Sequence, residues 1–329
     1  MTRGCEVKGM EPPKDSVATS MNDTLKSPSY IEAVINQWPD PNDPKEQQIV
    51  RSIGDEFLST PLAREAFERI KDLELSHLRN ATAHIGQNEY IYAGTQKVLK
   101  DISEASQSSI VAGEENLNQL EKGKPILLLT NHLGSYKLIS LTQDQQREMG
   151  LRGPIVRVYY PFPGYFAAMY PIAQRLRNDL FEASFEYPGQ IGEIYRATDS
   201  IEVPPPNLAL NGNQAKSRTE ILTDVTRALI DKHPNAVITS FPEGGTSGKR
   251  NGKGPYGLEP YHTGSFVIAA KLGLPILPVA QFFNPDKGFE LAVFEPVRLG
   301  AETAPEQLLQ AAQVMQRQTQ EWLNTRKAA

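Results

Sequence analysis

Short apolar runs that alternate with helical segments constrain the fold of this chain more than any other feature of the sequence. The run PILLLTN at 125–131 is apolar almost throughout, as a strand buried on both faces of a parallel sheet requires. Further strand candidates stand at 155–159, 193–196, 236–240, 276–280 and, more weakly, 290–294. Helical candidates stand between and after them at 136–149, 166–180, 217–231, 264–272 and 305–325. This alternation predicts an α/β fold with a mainly parallel central sheet flanked by helices.

The part of the chain that precedes the predicted sheet divides into two segments of different composition. Residues 1–44 are polar and rich in proline, so we expect a loosely ordered arm there. Residues 45–121 place apolar side chains such as Phe67, Ile70 and Leu73 at helical spacing, which predicts two or three amphipathic helices. We therefore divide the chain into an arm at 1–44, an N-terminal helical extension at 45–121 and an α/β domain at 122–329.

Composition excludes several classes of protein. The chain has 329 residues and a formal net charge of −5, so it lacks the basic excess of a general nucleic-acid binder. Cys5 is the only cysteine, which excludes an intrachain disulfide and a metal site built from several thiolates. The first 30 residues lack the apolar core of a secretory leader, so we expect none. A membrane span needs about 18 consecutive apolar residues, and we find no such run. We expect a cytoplasmic protein without a bound metal, and peripheral contact with a membrane stays open.

Histidine is a common general base near neutral pH, and the chain has only five histidines. His132 directly follows the run at 125–131, and ligands bind outside the carboxyl ends of strands in open α/β sheets. This position favours a general base acting on a substrate hydroxyl, with a capping or turn histidine as the alternative. His262, just ahead of a predicted helix, is a weaker candidate for the same cleft. The other three are interpreted as packing or surface residues.

A glycine-rich segment follows another predicted strand. FPEGGTSGKR at 241–250 comes directly after the run at 236–240, and its glycines permit the backbone conformations of an anion-binding loop. Glu243 is a candidate acceptor of hydrogen bonds from a polyol. Lys249 and Arg250 are candidates for contacts with a phosphate. A flexible surface loop is the alternative interpretation of the segment.

Taken in order, four segments resemble the motifs of the glycerolipid acyltransferase superfamily, which includes lysophosphatidate and glycerol-3-phosphate acyltransferases. The segments are NHLGSYK at 131–137, GEIYR at 192–196, FPEGGTS at 241–247 and GLPILPVA at 273–280. The resemblance covers about residues 122–300, and it implies that superfamily's α/β fold for the chain.

The resemblance also implies an activity and a set of site residues. The implied reaction moves an acyl group from a coenzyme A or acyl-carrier-protein thioester to a hydroxyl or an amine of a lipid-like or polyol acceptor. The thioester is then a co-substrate, and no further cofactor is implied. His132 matches the catalytic base of the superfamily. The residues implied to contact the acceptor are Asn131, Arg196, Glu243, Gly244, Gly245, Thr246 and Ser247.

Two positions depart from the superfamily's motifs. Lys137 stands where the motif has an acid five residues after the histidine, and Thr246 stands where it has an arginine. Lysine cannot accept a hydrogen bond from an imidazole N–H. If the chemistry is retained, another acceptor serves His132, and the candidates are Ser135, a backbone carbonyl, Asp199 and Glu243. Otherwise the chain is a catalytically silent protein that binds an acyl chain or a carrier.

Two further stretches are open to more than one interpretation. The aromatic stretch YYPFPGYFAAMY at 159–170 either lines an acyl-chain tunnel, lies on a membrane surface or packs as a buried helix. The proline-containing stretch at 200–207 is a surface loop, a lid over the acyl channel or a docking loop for a carrier.

Overall fold

The structure is a computed structural model that describes residues 57–140, 143–144, 155–161, 164–185, 193–194, 196–203, 217–245, 247–248 and 253–328. The strands are β1 (Ser109–Ala112), β2 (Ile126–Thr130), β3 (Gly134–Ser140), β4 (Ile155–Pro161), β5 (Asp179–Phe185), β6 (Ile201–Val203), β7 (Ala236–Ser240), β8 (Ile276–Asn284) and β9 (Gly288–Val293). The α-helices are α1 (Pro61–Ala83), α2 (Asn88–Ala105), α3 (Tyr170–Leu176), α4 (Arg218–Lys232), α5 (Gly264–Leu272) and α6 (Pro305–Ala328). The predicted arm at 1–44 lies outside the described residues.

A seven-stranded sheet with the order β1-β9-β8-β2-β7-β5-β6 forms the centre of the molecule. Neighbouring strands in it run parallel, except for the antiparallel pair β8 and β9. β2 lies in the middle with every residue buried, and its Leu128 stands between Thr239 of β7 and Leu277 of β8. Such a strand must be apolar on both faces, since helices cover a parallel sheet from both sides. The predicted α/β fold with a mainly parallel sheet is confirmed.

The stretch after His132 is a strand, and the predicted helix at 136–149 is wrong for residues 136–140. These residues belong to β3, which pairs with β4 in a separate antiparallel sheet that places Lys137 opposite Val158. The predicted strand at 155–159 is confirmed as β4. Short segments of mixed polarity such as SYKLIS fit both the helical and the strand period, so periodicity could not decide between them.

Three other predictions need correction. The predicted strand at 193–196 is wrong, because residues 193–194 and 196–197 are helical. The predicted helix at 166–180 ends at Leu176, where Arg177 takes a left-handed conformation with φ of 59° and β5 follows. The stretch interpreted as a loop or lid at 200–207 begins with the edge strand β6, which pairs with β5. Residues 204–207 lie outside the described residues.

The N-terminal helices pack onto the sheet. Thr60 is the N-cap of α1, and its side chain accepts a hydrogen bond from the Ala63 N–H. Pro61 occupies the first turn, where the backbone N–H that it lacks would have no partner within the helix. Phe67 of α1 and Ile102 of α2 belong to the same hydrophobic core as the central strands. β1 also comes from the segment 45–121, and it pairs with β9 of the central sheet. The helical extension and the sheet therefore share one core, while the division at 44 and 121 stays a prediction.

The predicted helices at 217–231, 264–272 and 305–325 are confirmed as α4, α5 and α6. Ser217 and Glu220 form a capping box at the start of α4, and α5 ends at Gly273 in a left-handed conformation. Within the described ranges, no helix is long and apolar enough to cross a membrane.

Candidate active site

The residues predicted to form a site come together where β2 and β7 end. These strands are parallel neighbours, with Leu129 opposite Ser240, so the segments that follow them leave the sheet at the same edge. Asn131 and His132 follow β2, and Glu243 follows β7 by three residues. The sheet topology thus brings two motifs that are far apart in sequence into direct contact.

Glu243 joins the two segments through a fully buried carboxylate. Its Oε1 accepts hydrogen bonds from the His132 N–H at 3.3 Å and from the Ser247 hydroxyl at 2.5 Å. Its Oε2 accepts from the Glu259 N–H at 2.7 Å. Burial raises the pKa of the Glu243 carboxyl to about 7, and the three donors oppose this rise because they favour the charged form. Glu243 therefore braces the loops around His132 from inside the protein.

The loop after β7 also holds the carbonyl of His132. The Ser247 N–H donates to the His132 carbonyl oxygen at 3.1 Å, so both backbone groups of His132 are bound by this loop. Gly244 turns the loop with a φ of 64°, a conformation that favours glycine. The His262 N–H donates to the Pro242 carbonyl oxygen at 2.8 Å, which places His262 beside the same loop with an exposed side chain.

Asn131 is fully buried and ties β2 to β8. Its side-chain amide donates to the Gln281 carbonyl oxygen at 3.1 Å, and its Oδ1 accepts from the Gln281 N–H at 2.9 Å. The Gln281 side chain returns a hydrogen bond to the Asn131 carbonyl oxygen at 2.6 Å. The Asn131 side chain is thus used for strand-to-strand bonding, and its predicted contact with a substrate stays a prediction.

The imidazole of His132 is half-buried and contacts two aromatic rings that also contact each other. The ring of Tyr165 stacks on it, with centroids 4.7 Å apart and planes 28° apart. The ring of Phe241 lies 4.6 Å away at an angle of 57°. The phenol of Tyr165 donates to Glu182 Oε1 at 3.1 Å. A titratable ring at the carboxyl edge of the sheet, held by two aromatic neighbours, has the features expected of a general base.

The structure places Arg196 in a different environment. It lines a cavity of about 220 Å³ between the turn that joins α1 to α2 and the helical residues near Ala197. The residues that line this cavity are Ile85, Gly86, Asn88, Ile91, Glu193, Arg196 and Ala197, none of which belongs to the His132–Glu243 cluster. The predicted contact of Arg196 with an acceptor phosphate stays a prediction.

The remaining predicted residues divide between the loop, β3 and the undescribed positions. Gly244 is exposed and Gly245 half-exposed at the surface of the loop, and Ser247 is buried against Glu243. Lys137 lies on β3. Thr246, Lys249 and Arg250 lie outside the described residues. No group of three or more His, Cys, Asp or Glu side chains within the described ranges is arranged to hold a metal ion.

Sequence reasoning missed four residues of this site. Gln281 holds Asn131 in place, and Glu259 holds Glu243. Gln281 lies at a predicted strand and Glu259 in a connection, and neither segment was predicted to contact the site. Tyr165 lies in the aromatic stretch at 159–170, which was considered for a tunnel, a membrane surface or the core and not for contact with His132. Glu182 lies on β5, which was not predicted at all.

Comparisons with known proteins add a distant likeness. No protein-family model matches the chain, and no curated protein matches its sequence. Among solved structures, the chain is similar to the 1-acyl-sn-glycerophosphate (LPA) acyltransferase PlsC from Thermotoga maritima, with 13% sequence identity and a TM-score of 0.40. The alignment covers 94% of this chain and 98% of that one. No residue of the site is assigned from this match.

Proposed function

We propose that the protein is an acyltransferase that moves an acyl group from a coenzyme A or acyl-carrier-protein thioester to a hydroxyl or amine acceptor. One observation carries the proposal. Two segments that resemble acyltransferase motifs, 111 residues apart at His132 and Glu243, bind each other at the carboxyl end of the central strand. That contact leaves the His132 imidazole at the edge of the sheet where α/β proteins bind their ligands.

In the proposed reaction, His132 takes the proton of the acceptor hydroxyl while the hydroxyl oxygen attacks the carbonyl carbon of the thioester. The C–S bond breaks as the tetrahedral intermediate collapses, and the leaving thiolate takes the proton back from the imidazolium. The products are an ester and the free thiol of the donor. An amine acceptor would give an amide by the same steps.

The contacts with the acceptor are also proposals. The side chains of Asn131 and Glu243 are already bonded within the protein, so their proposed role is to shape the site. Gly244 and Gly245 offer the accessible part of the loop to a polyol or phosphate, as glycine-rich loops do. The proposed acceptor is lipid-like or a polyol, met in solution or by peripheral contact with a membrane.

The test of this proposal is the release of free thiol from acyl-coenzyme A and acyl-carrier protein in the presence of an acceptor. Glycerol-3-phosphate, lysophosphatidate and neutral polyols form the acceptor panel. We expect His132→Ala to lower the turnover of the active pair by about 10²- to 10⁴-fold, the usual contribution of a general base. His84→Ala is the matched control, since His84 is a half-buried histidine whose ring stacks on Tyr90 just after the C-terminal end of α1. Full activity of His132→Ala would exclude this mechanism.

A catalytically silent protein that binds an acyl chain or a carrier is the second candidate, and Lys137 favours it. A lysine in place of the motif acid opposes the formation of an imidazolium nearby. Native mass spectrometry of the purified protein would detect a retained acyl ligand. An acyl ligand without turnover on any acceptor supports this candidate, whereas turnover by the wild type excludes it. If Lys137→Asp gained turnover, the lack of catalytic activity in the wild type would be caused by the residue at this position.

A further inference from the structure

The ring that stacks on His132 is itself fixed from two sides. Tyr165 donates its phenol proton to Glu182 on β5 at 3.1 Å, which holds the far end of the side chain. The carboxylate of Glu74 on α1 accepts a hydrogen bond from the N–H of Gly164, the residue before Tyr165. The backbone and the phenol of this segment are therefore bound by two different layers of the fold.

Packing at Gly164 fixes the same segment sterically. Gly164 has a φ of 79°, and a Cβ atom at this position would lie 2.9 Å from Ile102 Cγ2 and 3.3 Å from Ile70 Cγ2. The chain can approach α1 and α2 this closely only because the residue is glycine. Ile70 and Ile102 are both buried in the core, so they do not yield easily.

Two carboxylates that were candidates for orienting His132 accept several hydrogen bonds within the protein. Asp199 accepts hydrogen bonds from Lys232 at 2.6 Å and His233 at 2.8 Å. Glu243 accepts the backbone N–H of His132 and two other donors, as described above. Lys137 stands opposite Val158 on β3. The His132 ring contacts the rings of Tyr165 and Phe241.

We propose that Tyr165 and Glu182 are positioning residues for the proposed base, and that they serve His132 where the superfamily's motif acid is replaced by Lys137. The Tyr165 ring fixes the plane of the imidazole, and the Phe241 ring packs against both of them. Glu182 holds the phenol and, by accepting its proton, makes the Tyr165 ring more electron-rich. An electron-rich face stabilises a cation lying over it, here the imidazolium that forms as His132 takes the proton. This inference rests on the proposed function.

The Glu182 carboxyl lies in an environment that shifts its ionisation toward neutral pH. Burial raises the pKa of the Glu182 carboxyl to about 7, while the phenol of Tyr165 acts in the opposite direction. Burial and repulsion by Glu182 raise the pKa of the nearby Glu74 carboxyl to about 8.

The experiment compares Tyr165→Phe, Glu182→Gln and the double variant with the wild type. Tyr165→Phe keeps the stacked ring and removes the hydroxyl that bonds to Glu182, so it separates the effect of this hydrogen bond from that of ring packing. We expect each single variant to lower kcat by about threefold to tenfold with little change in KM for either substrate. Tyr165→Phe removes the hydrogen bond and Glu182→Gln removes the charge of its acceptor, so both changes act on one interaction. We therefore expect the double variant to be no worse than the poorer single variant. Additive losses in the double variant, or unchanged kcat in both single variants, would overturn the inference.

A second readout does not depend on turnover. The NMR signal of the His132 ring, assigned by its loss in His132→Ala, is followed against pH in each protein. We expect its titration midpoint to move to lower pH in Tyr165→Phe and Glu182→Gln, since the imidazolium loses stabilisation. An unmoved midpoint overturns the inference even if no acceptor is ever found. Loss of the proposed function with a shifted midpoint leaves the positioning role standing, so the two failures are distinguishable.

Tyr90→Phe is the matched control for both readouts. Tyr90 is an exposed tyrosine whose phenol bonds to the Asn80 side chain, away from the described contacts of His132. We expect it to change neither kcat nor the His132 titration. A shift in this control equal to that of Tyr165→Phe would assign the effect to a general change in the protein and overturn the inference.

Discussion

At the scale of single residues, two side chains of the candidate site form hydrogen bonds within the protein where the sequence indicated contacts with a substrate. Asn131 was expected to contact a substrate, yet its amide bonds to Gln281, which is 150 residues away in sequence. Glu243 was expected to meet a polyol, yet its oxygens accept donors from the protein. Their hydrogen-bond partners within the protein were not predicted, because partners this distant in sequence depend on the order of strands in the sheet.

The bonding of Asn131 leads to a prediction about stability. Asn131→Ala leaves the buried N–H and carbonyl of Gln281 without these partners, and unmade buried hydrogen bonds cost about 1–3 kcal/mol each. We expect the free energy of unfolding to fall by about 2–4 kcal/mol, measured as a lower urea midpoint with an unchanged m-value. Asn80→Ala, at an exposed helical position, is the control and should stay within about 0.7 kcal/mol of the wild type. Loss of activity without loss of stability in Asn131→Ala would contradict the structural role.

At the scale of elements, the sequence predicted the centre of the sheet better than its periphery. β2, β7 and β8 are apolar runs buried on both faces, and their composition alone marks them as strands. β5 was not predicted from the sequence, because the apolar residues on both sides of Arg177 fit a single helix that continues from α3. The left-handed conformation of Arg177 ends that helix, and a residue other than glycine gives little warning of such a turn.

The loop after β7 offers a matched pair of glycines for a second prediction. Gly248 has a φ of 71°, and a Cβ atom there would lie 1.9 Å from the Gly254 carbonyl oxygen. Gly245 has open space around the position of a Cβ atom. We expect Gly248→Ala to lower the free energy of unfolding by about 2 kcal/mol or more, because a left-handed backbone conformation alone costs about 1–2 kcal/mol.

The loop position should also affect the proposed activity. Ser247 stands beside Gly248 and holds the carbonyl of His132, so a shift of the loop displaces the proposed base. We expect Gly248→Ala to lose turnover together with stability, and Gly245→Ala to keep the wild-type melting temperature. Equal melting temperatures for the two variants would show that the loop tolerates a side chain at both positions.

At the scale of the whole molecule, polar bonds join the helical layer to the sheet. The Tyr92 phenol on α2 donates to Asp179 at 2.7 Å, and the Gln96 side-chain amide donates to the Leu180 carbonyl oxygen at 3.0 Å. Both partners lie on β5. The carboxyls of Glu74 and Glu182 belong to the same two layers, one on α1 and one on β5. Charge at these carboxyls therefore bears on how the layers hold together.

Stability should fall as pH rises through the range in which these carboxyls ionise. The folded-state pKa of Glu74 is raised from 4.5 to about 8, and that of Glu182 from 4.5 to about 7. Between about pH 4.5 and pH 8 the folded protein binds more protons at these carboxyls than the unfolded chain does. The free energy of unfolding therefore decreases as pH increases. One unit of pKa difference corresponds to about 1.4 kcal/mol, and we expect a total fall on the order of a few kcal/mol.

Glu74→Gln tests the origin of this pH dependence. Its amide oxygen can still accept the N–H of Gly164, while the charge that opposes folding above neutral pH is removed. We expect urea unfolding at a series of pH values to show a flatter profile and higher stability than the wild type at about pH 8 to 9. Glu65→Gln, on the exposed side of the same helix, should follow the wild-type profile. A wild-type protein that becomes more stable from pH 5 to pH 8 would contradict the prediction, since ionisation of the two carboxyls would then favour the joined layers instead of opposing them.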